Sequence, residues 1–410
     1  MTIRSVIFFG IILFAGSVFA DQLSLTDAMN LAVANQPLLA GQSAQIDADQ
    51  QTAIAASQLP DPKLILSVGN VPIDTYSLNQ DPMTQQTISV EQTIPGGNKR
   101  ELRKQLATTE TALSSSNLAI SMLAVKRSVG LAWLDLYYPL QAINLLQSKA
   151  RAYQSQIEAA KIAYANNQNP QATIWALQDG LNQLADRQLE LSGQADLARA
   201  ELSRWIGSAA ARQLTNQLPD FPPPPDYAQL QSNLVRHPEI RKWDMAIAKA
   251  EADVALTQES RQSDWTVGLG YSKRGPAYAD MVSAQVAFDL PVFPANRQDR
   301  SIAAKQFLLA QAHDQREDQL RSLTAALGAA YAQWQSASQR IQLLQKRTLP
   351  DASQRVSSAI VAYGAGKADM GSVFEAHHAM LEAELQLLTQ QVARARALVT
   401  LAYFSDGEQR

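Results

Sequence analysis

The sequence holds few residues able to carry chemistry, and they are poorly spaced for it. There is no cysteine among the 410 residues and only four histidines. That excludes disulfides, thiolate metal sites and a thiol nucleophile. His377 and His378 are adjacent, and neighbours on a helix point about 100° apart, so the two cannot grip one ion. His237 and His313 have no second histidine at helical ligand spacing. Structural or solvated histidine is the expected role, with no metal site. Gly364-Ala365-Gly366-Lys367 has part of a phosphate loop, but Val361 stands where a glycine is required and Ala368 where Ser or Thr is required. No nucleophile–base constellation, carboxylate pair or dinucleotide fingerprint occurs, so neither an enzyme nor a cofactor is expected. Lys99, Arg100, Arg103, Lys104, Arg297 and Arg300 are open to two readings: groups meeting lipid phosphate or a lumen, or the solvated start of a helix. With 35 basic and 38 acidic residues, no charge excess points to nucleic acid.

The elements that hold these residues say more. Arg4, the apolar run Val6 to Phe14 and the small-residue ending Val18-Phe19-Ala20 form a secretory signal peptide over residues 1–20. No later run approaches the ~18 apolar residues of a spanning helix. Trp265 to Leu290 instead alternates with period two. Trp265, Val267, Leu269 and Tyr271 interleave with Thr266, Gly268, Gly270 and Ser272, and Val282, Val286 and Phe288 with Ser283, Gln285 and Ala287. One strand face is apolar and the other small or polar, and each arm has about the 9–11 residues that a tilted strand needs to cross a bilayer. Leu64 to Ile94 holds an earlier twin, with Ile88 and Val90 set against Ser89 and Glu91.

The twin belongs to a repeat. His237-Pro238 matches Gln36-Pro37, Gly270 matches Gly69, Leu290-Pro291 matches Ile94-Pro95, Ala362-Tyr363 matches Ala163-Tyr164 and Phe404 matches Trp205, at offsets near 200 residues. The first repeat covers 21–217, with strands about 63–70 and 84–94 and long helices about 98–164 and 170–206. A Pro-rich linker covers 218–226. The second repeat covers 227–410, with strands about 264–273 and 280–290 and long helices about 296–363 and 369–404. Leucines seven apart, such as Leu177, Leu184 and Leu191, predict helices packed side by side as coiled coil.

Four strands cannot close a barrel, and an open edge is not tolerated in hydrocarbon. Membrane strands therefore require several chains to pool them: two would give eight strands and three twelve. Small and polar inward faces suit a wet lumen better than a packed interior.

The duplicated helix–strand–strand–helix order, the junctions Gln92-Thr93-Ile94-Pro95-Gly96-Gly97-Asn98-Lys99-Arg100 and Leu290-Pro291-Val292-Phe293, and the turn Tyr363-Gly364-Ala365-Gly366 resemble the TolC-type outer membrane efflux proteins. Leu59-Pro60-Asp61-Pro62, the loop Asn70-Val71-Pro72-Ile73-Asp74 and Gln80-Asp81-Pro82-Met83 resemble the family's heavy-metal branch. The resemblance implies a mainly α protein with a membrane β-barrel: a homotrimer whose twelve-stranded β-barrel in the Gram-negative outer membrane continues into an α-helical barrel in the periplasm. It implies passive conduction of substrate, heavy-metal cations in this branch, from an inner-membrane RND-type pump through a periplasmic adaptor (membrane fusion) protein. Val267, Leu269, Val286, Phe288, Ile88 and Val90 would face outer membrane lipid, and Pro95, Gly97 and Pro291 would mark the strand-to-helix junctions. The periplasmic gate and helix tips would lie at Tyr164, Asp179, Tyr363, Gly366, Asp369, Ser372 and Glu375. Of the family's two acidic gate positions, Ser372 has lost its charge and Glu375 keeps it, while Asp369 is equally suited to cap a helix. A multidrug or type I secretion duct is the rival within the family. A periplasmic coiled-coil structural protein is the rival outside it.

Overall fold

The computed structural model describes residues 22–166 and 170–405. The signal peptide and the centre of the first helix tip, residues 167–169, lie outside the described residues. The element order is α1 (Leu25–Asn35), α2 (Pro37–Ala56), β1 (Lys63–Gly69), β2 (Gln85–Ile94), α3 (Lys99–Ala165) and α4 (Gln171–Ile206). It then recurs as α5 (Tyr227–Asn233), α6 (Pro238–Gln258), β3 (Trp265–Arg274), β4 (Met281–Phe288), α7 (Gln298–Leu343), α8 (Leu349–Gly364) and α9 (Met370–Ser405). No described helix is long and apolar enough to cross a membrane.

The chain forms two compact units, each drawing on both halves of the sequence. Of the described residues, the first comprises 22–35, 125–166, 170–223 and 333–399, and the second 36–124, 224–332 and 400–405. The first unit is helical, and its leucine stripes point inward as heptad spacing requires. Leu177, Leu184 and Leu191 on α4 and Leu385 and Val392 on α9 are buried. Trp133 is fully buried, stacks on Tyr137 at 5.1 Å and donates its indole N–H to the Leu23 carbonyl at 3.1 Å. Leu23 in turn bridges to Leu214, so the start of the described chain is tied to the segment after α4.

The second unit holds the sheet. Its order is β1-β2-β3-β4, antiparallel throughout. His237 caps α6 there: its Nδ1 accepts from Glu239 N at 3.3 Å and its Nε2 meets the Tyr403 carbonyl at 2.9 Å. The ring is buried and both nitrogens are engaged by protein, which makes it a structural histidine.

The long helix expected over about 296–363 carries one widened turn. Leu344–Thr348 is π-helical, with Leu349 N–H reaching back five residues to Leu344 O. Pro350 explains the change. It has no N–H to give, and its ring would strike the carbonyl four residues back in a regular α-helix.

Candidate functional site

The sheet separates two surfaces in perfect register. One face carries the rungs Leu64–Val90–Leu269–Ala284 and Leu66–Ile88–Tyr271–Val282, with Trp265 opposite Phe288 at the strand ends nearest the helices. The other carries Lys63–Glu91–Gly268–Gln285, Ile65–Ser89–Gly270–Ser283 and Ser67–Thr87–Ser272–Met281. All six residues expected to meet lipid (Ile88, Val90, Val267, Leu269, Val286 and Phe288) share the apolar face and are exposed in the single chain. On the polar face, hydroxyls pair across strands: Thr87 with Ser272 at 2.7 Å and Thr93 with Thr266 at 3.1 Å. β1 and β4 are the two ends of the sheet, and every residue of β4 is exposed. An apolar face and two open edges cannot be the final state in lipid or in water.

The junction where strand gives way to helix is built by two glycines and a buried ion pair. Gly96 lies so close to β3's approach that a Cβ would stand 2.1 Å from the Ser263 carbonyl oxygen, and Gly97 takes a positive φ of 62°. Gly96 N–H donates to Asp264 Oδ1 at 2.9 Å. Lys99, buried, gives its ammonium to the same oxygen at 2.7 Å and to the Gln262 carbonyl at 2.6 Å. Lys99 is therefore a structural tie rather than a group meeting lipid or lining a lumen. Its partner is invisible from sequence because it lies 165 residues away. Pro95 is buried beside Gly96, while Pro291 at the corresponding exit of β4 is exposed.

Burial alone would raise the Asp264 carboxyl. The hydrogen bonds from Lys99 and Gly96 and the charges of Lys99 and Arg103 more than offset this, so it sits below the ordinary carboxylate range. A lowered folded value stabilises the protein above the unfolded pKa of about 3.9, and the contribution is lost as pH falls through the folded value. Asp264→Asn should cost about 2 kcal/mol at neutral pH, less than a fully buried pair because Asp264 is partly exposed. It should also remove this share of the acid sensitivity. Thermal unfolding in detergent at pH 3 and pH 7 checks both effects.

In the first unit, the helix tips form a second cluster. α8 ends in a Schellman turn: Lys367 N–H bonds Ala362 O at 2.8 Å, Gly366 N–H bonds Tyr363 O at 2.9 Å, and Gly366 supplies the positive φ of 67°. α9 then starts on Asp369, whose Oδ1 accepts from Ser372 N and Ser372 Oγ, both at 2.8 Å. The Ser372 N–H is the chief reason the Asp369 carboxyl lies below its usual range. Ser372 and Asp369 are thus committed to capping. Glu375 is exposed, and so is Asp179, which accepts from Gln183 at 2.8 Å. Phe374 presses on Gly180, where a Cβ would stand 2.3 Å from its ring. That contact brings α9 and α4 together beside Glu375 and Asp179. Tyr363 packs on a core of Ile157, Ala160, Leu177, Met370 and Val373, whereas Tyr164 is exposed.

Tyr153, not singled out by sequence, is buried 4.8 Å from Phe374, and among the described residues its hydroxyl has no hydrogen-bond partner. Burial first, then the charges of Glu375 and Glu382, push its pKa up to about 12.

The outer membrane efflux protein family matches residues 229–404. The cobalt-zinc-cadmium resistance protein CzcC of Cupriavidus metallidurans is 23% identical over 381 residues, spanning 90% of this chain and 86% of the relative. Among solved structures, CusC superposes with a TM-score of 0.76 at 13% identity, covering 93% of this chain and 91% of that one. VceC of Vibrio cholerae superposes with a TM-score of 0.76 at 18% identity, covering 93% and 95%. Residues 229–404 thus resemble the outer membrane efflux proteins. Over 93% of its length the chain has the fold of those channels.

The remaining histidines do not converge. His378 stacks on Phe374 at 6.2 Å. Half-burial, and secondarily Lys149, hold His377 below the usual imidazole range. Among the described residues no three His, Cys, Asp or Glu side chains come together as a metal cage.

Proposed function

We propose that three copies of this chain pool their sheets into a twelve-stranded barrel in the outer membrane and form the exit duct of a tripartite efflux system. The observation that carries this is the four-stranded sheet, apolar outside, polar inside and open at both edges. Three such sheets give a barrel wide enough for a lumen, whereas two give eight strands, enough to enclose little beyond side chains. Exposed apolar side chains on the helices, such as Leu189, Leu197 and Phe307, supply surface for neighbouring copies to cover. The duct is passive. An inner-membrane RND-type pump supplies the energy, and a periplasmic adaptor engages the helix tips around Tyr164, Tyr363 and Gly366. The likeness to a cobalt-zinc-cadmium resistance protein over nine-tenths of the chain favours divalent heavy-metal cations as cargo. The division into two repeats, 21–217 and 227–410 about the linker 218–226, gives each copy two hairpins for the barrel.

Purified protein should run as a trimer and conduct ions in planar bilayers. A water-soluble monomer without channel activity is the result that rejects the duct.

At the tips, three Glu375 carboxylates form the ring that biases the mouth toward cations, with Asp369 held back by capping. Glu375→Gln should lower the cation-to-anion permeability ratio about twofold, read from the reversal potential in a salt gradient. Cation selectivity unchanged in that variant rejects the ring.

A further inference from the structure

Glu91 is the only acidic residue in the four strands, and the register puts it on the polar face in the rung Lys63–Glu91–Gly268–Gln285. Its neighbour on β3 has no side chain. A Cβ at Gly268 would lie 3.2 Å from Glu91 Cγ and 3.7 Å from Gln285 Cβ. The stem of Glu91 therefore rests over the glycine, which seats the carboxylate against the wall. A bulkier residue at 268 would push it away. Lys63, opposite Glu91 on β1, is exposed and makes no ion pair with it. The third charge on this face, Arg274, stands at the far end of β3, where its guanidinium is held by the Pro82 carbonyl at 2.6 Å and 3.1 Å.

We propose that Glu91, seated over Gly268, is a cation-attracting selectivity determinant inside the β-barrel, separate from the helix tips, and that Lys63 opposes it. The proposal rests on the trimeric duct. Closure of the barrel turns this face into the lumen wall and sets three Glu91 carboxylates at one height, near the strand ends that lead to the helices. A hydrated divalent cation passing there meets three carboxylates, with the amide oxygens of Gln285 in the same rung as neutral oxygen donors. The effect is electrostatic and must follow the ionic strength, because the screening length grows from about 10 Å at 0.1 M salt to about 30 Å at 0.01 M.

The test is the reversal potential of the purified protein in planar bilayers across a potassium chloride gradient. Glu91→Gln should lower the cation-to-anion permeability ratio about twofold at 0.1 M salt and further at 0.01 M, while Lys63→Gln should raise it. The absence of native cysteine allows a second reading that does not depend on selectivity at the tips. Ser89→Cys, one rung away on the same face, should react faster with a cationic than with an anionic methanethiosulfonate, and adding Glu91→Gln should shrink that difference. Val90→Cys, on the lipid face, should resist both reagents. Conducting Glu91→Gln channels with unchanged selectivity and unchanged labelling rates overturn the proposal and leave the duct standing. Wild-type protein that forms no channels overturns the duct and this proposal with it.

Discussion

Leu269→Lys should block assembly in the outer membrane, at a cost of about 2–4 kcal/mol for each copy. Leu269 stands in the middle rung of the sheet, between Val90 and Ala284 on the apolar face, and is two-thirds exposed in the single chain. In the proposed barrel a lysine there would face hydrocarbon near mid-membrane, too far from either interface for its ammonium to reach water easily. In the proposed trimer the penalty applies three times, about 6–12 kcal/mol in all, comparable to the usual stability of a domain. Val286→Lys should be milder, because Val286 lies two residues from Phe288 at the strand end, where the penalty falls toward 0–1 kcal/mol. Ser283→Lys, on the opposite face in the Gly270 rung, should assemble and reduce single-channel conductance. Heat-stable trimers on gels and conductance in bilayers separate the three outcomes. Normal assembly of Leu269→Lys together with failure of Ser283→Lys would mean that the faces are assigned the wrong way round.

The division of the sheet into an apolar and a polar face was legible in the sequence because a strand has only two faces and here they differ in kind. Val267 and Leu269 alternate with Gly268 and Gly270, and no fold in which this pattern forms a strand can mix the two sets. Helix packing was legible for a related reason: Leu177, Leu184 and Leu191 recur at seven and are buried together. Proline was a poorer guide. Pro350 coincides with a widened turn, whereas Pro139 sits inside α3 without dividing it. Whether a missing N–H breaks a helix depends on the packing around it, which local sequence does not record. At the tips, sequence pointed to Asp369, Ser372 and Glu375 as a group. Coordinates separate them, because Asp369 spends its oxygen on Ser372 and Glu375 does not.

Contacts between the repeats were the least legible. Lys99 reads as one of four clustered basic residues, yet it is the buried one and its partner Asp264 lies 165 residues away. Tyr153 is similar: nothing in the chain around it predicts Phe374 and Glu375 as neighbours. Periodicity reports which way a residue faces and is silent about what it meets.

The steepest such contact is Gly96, and Gly96→Ala should be the most damaging single-methyl change in the protein. Its new Cβ would stand 2.1 Å from the Ser263 carbonyl oxygen and 3.0 Å from the carbonyl carbon. Both are backbone atoms, so no side chain can rotate aside. Relief requires moving the segment that leads into β3, which would pull Asp264 from Gly96 N–H and from Lys99 and leave a buried ammonium short of a partner. The overpacking alone costs about 3 kcal/mol, and loss of the tie adds to it in each copy. Gly69→Ala is the matched control. That glycine closes β1 on the polar face, and nothing stands within 4 Å of its Cβ, so the change should be close to neutral. Gly97→Ala should fall between the two: its positive φ is strained for alanine, but the atoms in its way belong to the flexible Glu259 and Gln262 side chains. Thermal unfolding of the three variants in detergent should rank them Gly69, Gly97, Gly96 from mildest to worst. A Gly96→Ala protein as stable as Gly69→Ala would mean that strand β2 leaves the barrel by a different path from the one that these contacts define.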